Sequence, residues 1–136
     1  MTEDQVERVR KSFSAVMPHM DAFSASFYDQ LFLIDPSTRA LFINDLVEQR
    51  RKLMLTLSTV IHELSDLSRL LPSIRDLAVR HVGYGVCENH YQLVGTALIS
   101  ALRQHVTSFD AEDENAWAAA YSLLSGAMIE AVHRKH

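Results

Sequence analysis

Apolar residues recur at helical spacing along almost the whole chain, and this regularity restricts the fold more than any single motif does. Three prolines and four glycines are the only strong breakers, and each is expected between stretches of helical period. Thr2, with Gln5 three residues on, forms a capping box, after which Val6, Val9, Phe13, Val16 and Met17 repeat until Pro18. Phe23, Phe27, Leu31 and Ile34 mark a second stripe. It ends at Asp35-Pro36, where aspartate can cap and proline can open a short helix over roughly 36–42. From about 46 to 64, Leu46, Leu53, Leu57, Val60, Ile61 and Leu64 keep one face, while Arg50, Arg51 and Lys52 lie largely off it. Pro72 opens a shorter segment with Ile74, Leu77 and Ala78 inward, which runs to His81 and is stopped by Gly83 and Gly85. Two final helices carry Tyr91, Val94, Leu98, Leu102 and Val106, then Trp117, Tyr121, Leu124 and Met128, the second opened by the Asp110-x-x-Asp113 cap signal. Six or seven helices, little strand signal and no internal repeat predict an all-α chain with one domain over residues 1–136.

Composition narrows the function classes. Hydrophobic residues at 48% and charged residues at 22% allow one sizeable core. Thirteen Lys and Arg against seventeen Asp and Glu leave a net charge of −4, so the attraction to phosphate that nucleic-acid binders use is missing. Cys87, the single cysteine, cannot form an internal disulfide, and without a visible base it reads as a small helix-start residue. The N-terminus lacks the basic and apolar stretches of a signal peptide. No later run approaches the roughly 18 apolar residues of a membrane span. The expectation is a soluble, cytoplasmic protein with neither nucleic-acid nor membrane partners.

Seven histidines occur, and none forms the i, i+4 pair or the Cys-rich cluster of a zinc site. His81 differs in sitting on an apolar stripe, four and three residues past Leu77 and Ala78 and just before glycines that allow a flat group to approach. Taken alone it reads sooner as a structural histidine, satisfied or partly exposed, than as a ligand.

The ordered set of landmarks resembles the globin family, in particular bacterial single-domain globins and the globin domain of flavohaemoglobins. It comprises Ser26-Phe-Tyr-Asp-Gln-Leu-Phe32, Asp35-Pro36 with Ala40-Leu-Phe42, Gln49-Arg-Arg-Lys-Leu53, Arg80-His-Val-Gly-Tyr-Gly-Val86, His90-Tyr-Gln-Leu-Val-Gly95, and Ala116-Trp117 with Tyr121. The resemblance implies a three-over-three helical sandwich around one haem b, with His81 as the proximal ligand of the iron. It places Phe42 against the porphyrin, and Tyr28 and Gln49 on the ligand side as donors to a bound gas. Leu53, one turn after Gln49, faces the same way, since four residues advance about 400°. Arg80 matches a partner for a haem propionate, while Leu57, Val86, Val94 and Leu98 match the haem edge. Each of these also has a plain reading, as an aromatic or aliphatic core residue, a solvated arginine, a core-edge tyrosine or a surface glutamine.

His62 lies about 220° around the helix from Gln49, a poor direction for a sixth iron ligand. Tyr91 matches a tyrosine that supports the proximal histidine. The glutamate that accompanies it in flavohaemoglobins falls at Val132, and Glu130 lies about 200° away around the helix. The departure weakens the case for strongly oxidative chemistry. The resemblance therefore implies reversible binding of oxygen, carbon monoxide and nitric oxide. Nitric oxide dioxygenation and gas sensing are alternatives. With the chain stopping soon after the last helix, any turnover is expected to need a separate reductase, and any signal a separate partner. The rival from another class is a cofactor-free helical interaction module.

Overall fold

The structure is a computed structural model that describes residues 2–41, 46–65, 72, 74–76, 78 and 88–134, and among them it contains helices and turns with no strand. Helix α1, Glu3–Val16, opens on the capping box: the Gln5 backbone amide donates to the Thr2 hydroxyl at 3.1 Å and the Thr2 backbone amide donates to the Gln5 side-chain Oε1 at 2.9 Å. Its buried face is Val6, Val9, Phe13 and Val16. Met17 was expected on that face but is 40% exposed, because Pro18 turns the chain into a short 3-10 segment, Met17–His19, before α2 resumes.

Helix α2, Met20–Ile34, buries Phe23, Phe27, Tyr28 and Leu31, while Ile34, its last residue, is 40% exposed. Asp35 then accepts from the Ser37 amide at 3.0 Å, starting a 3-10 segment over Pro36–Leu41. Helix α3, Leu46–His62, is two residues shorter than its apolar pattern, although Leu64 remains buried in the following turn. Its deepest face includes Met54, which the stripe reading passed over, and Leu53 is only half-buried. Pro72, Ile74, Arg75, Asp76 and Ala78 are helical, with Ile74 and Ala78 buried.

Helix α4, Glu88–His105, and helix α5, Ala111–Arg134, complete the order. Asp110 and Asp113 cap α5 reciprocally, each backbone amide donating to the other's carboxylate, at 2.8 and 3.2 Å. Two glycines correct the expectation that every breaker falls between helices, since Gly95 lies inside α4 and Gly126 inside α5. Gly95 is required by packing: a Cβ there would come within 2.9 Å of the Tyr121 ring. Gly126 faces a groove of about 670 Å³ between α4 and α5, where a Cβ would meet nothing within 4 Å.

Helix α2 packs chiefly on α4, and α1 on α5. The larger core joins α1, α2, α3, α4 and α5, while a second cluster gathers Ile74, Ala78 and Met128 with half-buried Val60, Tyr91, Leu124 and Ala127. The Trp117 indole N–H is buried in the larger core without a hydrogen-bond partner among the described residues, a local cost that the ring's apolar burial offsets. Among the described residues, no helix is long and apolar enough to cross a membrane.

Candidate functional site

The stripe of α2 carries Tyr28 inward, where it is 6% exposed. Its ring meets Phe27 edge-on at 4.9 Å and leans on Phe32 at 6.0 Å, so aromatic neighbours on both sides fix its direction. The hydroxyl donates to the backbone carbonyl of Gln49 at 3.4 Å, a long and therefore weak bond. Burial pushes the phenol up to about 12, against the opposing pull of the Arg50 cation. At neutral pH Tyr28 is thus a protonated donor.

Helix α3 supplies the facing wall. Gln49 and Leu53 are half-buried one turn apart, and Leu57 is buried a further turn along. From α4, Leu98 is buried and Val94 is half-buried against the same core. Tyr91 is half-buried in the second cluster, beside Ile74 and Ala78 of the segment that leads toward position 81. Its carbonyl accepts from the Tyr121 hydroxyl at 2.6 Å, and burial raises the phenols of both tyrosines. Leu53, Leu57, Val94 and Leu98 therefore belong to one continuous core with Tyr28, and Tyr91 stands in the neighbouring one.

Phe42, Arg80, His81, Val86 and Cys87 lie outside the described residues, as does the side chain at Val132. Glu130 and His62 are exposed. Three features escaped the sequence reading. Arg39 sits over the Phe32 ring, 5.3 Å from its centroid. The field of Arg50, read only as lying off the apolar face, reaches the Tyr28 hydroxyl. Tyr121 bonds to the backbone of Tyr91 across Gly95. Phe32 lies four residues after Tyr28, which was a usable signal for the first; a glycine at a buried mid-helix position was the signal for the third.

The donor set fits a haem that binds a polar gas: a neutral buried phenol and an amide stand beside aliphatic surface of the kind a porphyrin packs against. Comparison with known proteins agrees. The family profile named Globin matches residues 25–128. A flavohemoprotein of Bordetella parapertussis is 31% identical over 135 residues, covering 95% of this chain and 33% of that protein. The chain thus spans about a third of the length of such relatives. An engineered carbene transferase from Rhodothermus marinus, assigned as a nitric oxide dioxygenase, superposes with a TM-score of 0.86 at 28% identity, covering 99% of this chain and 96% of that one. A bacterial globin from Campylobacter jejuni shares the fold at a TM-score of 0.85 and 21% identity, covering 98% and 97% of the two chains. With a family profile spanning most of its length and an all-helical fold to match, this chain belongs to the globin family.

Proposed function

We propose that this chain holds one haem b through His81 and binds oxygen and other diatomic gases reversibly against Tyr28 and Gln49. The observation that carries the reading is the Tyr28 hydroxyl, buried, protonated and donating to the Gln49 carbonyl at 3.4 Å. When bound, haem would supply the iron that takes up a diatomic gas, with His81 as the residue that would hold it. The protein's part is to orient and to exclude water. Tyr28 turns its proton from a weak backbone acceptor toward a polarised ligand, Gln49 offers a second donor, and Leu53 keeps the space apolar. Phe42, Leu57, Val86, Val94 and Leu98 pack the ring, Arg80 pairs a propionate, and Tyr91 supports the imidazole. The home of such a protein is the cytoplasm.

Nitric oxide dioxygenation with an external reductase is the second reading, favoured by the similarity to a flavohemoprotein and to a structure assigned as a nitric oxide dioxygenase. Mixing the oxygenated protein with nitric oxide and following nitrate separates it from simple carriage.

The test of the primary reading is spectroscopic. Purified protein is expected to be red, with an intense Soret band and close to one haem per chain. His81→Ala is expected to lose haem, with added imidazole restoring part of it. Colourless protein that stays helical and gains no Soret band with haemin would return the chain to a cofactor-free interaction module. An unchanged carbon monoxide spectrum in His81→Ala would move the ligand to another histidine.

A further inference from the structure

Tyr121 joins α5 to the opening of α4 in two ways at once. Its hydroxyl donates to the backbone carbonyl of Tyr91 at 2.6 Å, across 30 residues of chain. Within a helix that carbonyl is the one addressed by the amide four residues on, which here belongs to Gly95. Gly95 is also the residue whose missing side chain makes room for the Tyr121 ring, since a Cβ there would lie 2.9 Å from Cε2 and 3.0 Å from Cδ2. The glycine admits the ring, and the turn that the glycine closes receives the hydroxyl. Burial raises the Tyr121 phenol and the nearby Tyr91 phenol adds to the rise, so the group stays a donor at neutral pH.

Tyr91 is the residue on which this arrangement acts. It lies in the first turn of α4, which begins at Glu88, and helix ends are the parts that fray. Its side chain packs on the cluster of Ile74, Ala78 and Met128. It also borders the open groove that Gly95, Tyr121 and Gly126 line. Packing therefore restrains Tyr91 on the cluster side, while on the groove side the restraint is the bond from α5 to its carbonyl.

We propose that Tyr121 is a positioning residue for the iron's histidine: by pinning the Tyr91 backbone to α5 it fixes the place from which the Tyr91 ring supports His81, and so tunes the iron–histidine bond. The inference rests on the reading above in which Tyr91 supports the imidazole, and it names the residue that governs that support. Tyr121 acts through Tyr91 alone. Hydrogen bonds weaken steeply as their geometry is lost, and groups that orient a metal's ligand alter the metal's properties without touching it. A small shift of the first turn of α4 is therefore read at the iron.

The experiment uses the haem-loaded ferrous protein without gas. Tyr121→Phe keeps the ring beside Gly95 and removes the donor. The iron–histidine stretch, read by resonance Raman, is expected to shift and broaden. Haem transfer to excess apomyoglobin is expected to quicken on the order of threefold to tenfold, the range that one hydrogen bond corresponds to. Gly95→Ala leaves the hydroxyl in the chain but displaces the ring, so it is expected to move the stretch in the same direction, and it provides the same test if Tyr121→Phe folds poorly. The Tyr91→Phe background separates positioning from plain stabilisation. There, Tyr121→Phe is expected to leave the stretch where Tyr91→Phe alone puts it, whereas a bond that serves only stability lowers the unfolding midpoint in both backgrounds and moves no iron signal. A stretch unchanged in Tyr121→Phe and Gly95→Ala, or one shifted equally with and without the Tyr91 hydroxyl, overturns the positioning role and leaves the haem reading intact. A parent protein that takes up no haem overturns the underlying reading and this one with it.

Discussion

Tyr28 combines three conditions: it is nearly inaccessible, burial pushes its phenol up to about 12, and its bond to the Gln49 carbonyl is long at 3.4 Å. A hydrogen bond to a polarised ligand is worth about 1.5–3 kcal/mol, which corresponds to roughly ten- to a hundredfold in a rate constant. Tyr28→Phe is therefore expected to speed oxygen dissociation by that factor and carbon monoxide dissociation much less; flash photolysis or ligand displacement reads both. If oxygen leaves the variant no faster than the parent, Tyr28 is not the donor. The same phenol makes stability depend on alkali. Its folded value is raised above the ordinary 10, so its contribution is fully present below pH 10. Between about pH 10 and 12 the unfolded chain loses the proton while the folded chain keeps it, and stability falls. Urea midpoints measured across that range are expected to decline for the parent and to decline less for Tyr28→Phe.

Helix α4 and helix α5 show what substitution of a single small residue does in two environments. Gly95→Ala places a Cβ within 2.9 Å of the Tyr121 ring, and that ring cannot withdraw without losing its 2.6 Å bond to the Tyr91 carbonyl. A loss of about 1–3 kcal/mol is expected, as for other overpacked sites. Gly126→Ala meets open space within a helix and is expected to gain about 0.5–1 kcal/mol, since alanine restrains the unfolded chain and favours the helix. Chemical unfolding of the two variants checks the opposite signs. These elements also show where the sequence was readable. The reciprocal caps at Thr2–Gln5 and Asp110–Asp113 and the stripes of α1 and α2 were legible because they depend on residues three or four apart. Gly95 was read as a boundary because its reason, the Tyr121 ring, lies on another helix. Met54 was passed over in favour of Leu53, since the two differ by about 100° and only the packed neighbours decide which is deeper. Tyr28 and Gln49 could be named by resemblance, but the carbonyl that receives the phenol could not, because every residue carries one.

In the whole molecule, the wall that carries Gln49 and Leu53 is held at both ends by other helices. Near its start, the Gln49 carbonyl takes the hydroxyl from α2. At its far end, Arg10 of α1 donates to the carbonyls of Ile61 and His62 at 3.3 and 3.0 Å and to the Ser65 hydroxyl at 3.2 Å, supplementing at Ile61 the 3.3 Å bond from the Leu64 amide and serving an acceptor of the helix C-terminus at His62. Arg10→Met keeps the apolar stem and removes the donors, so a loss of about 1 kcal/mol is expected, in the range of net hydrogen-bond contributions. The two anchors are separated by the rise from residue 49 to residue 61, about 18 Å along the axis, and they share no partner. Their stability effects are therefore expected to add within about 0.5 kcal/mol in the double variant Arg10→Met/Tyr28→Phe. Their effects on gas binding are expected to differ: Arg10→Met leaves the donor in place and changes oxygen dissociation little, whereas the double variant releases oxygen as fast as Tyr28→Phe alone. Equilibrium unfolding and oxygen dissociation on the four proteins of the cycle decide the matter. A coupling well above 0.5 kcal/mol, or an oxygen rate that Arg10→Met alone raises as much as Tyr28→Phe does, would mean that α3 moves as one rigid lever whose far end sets the pocket.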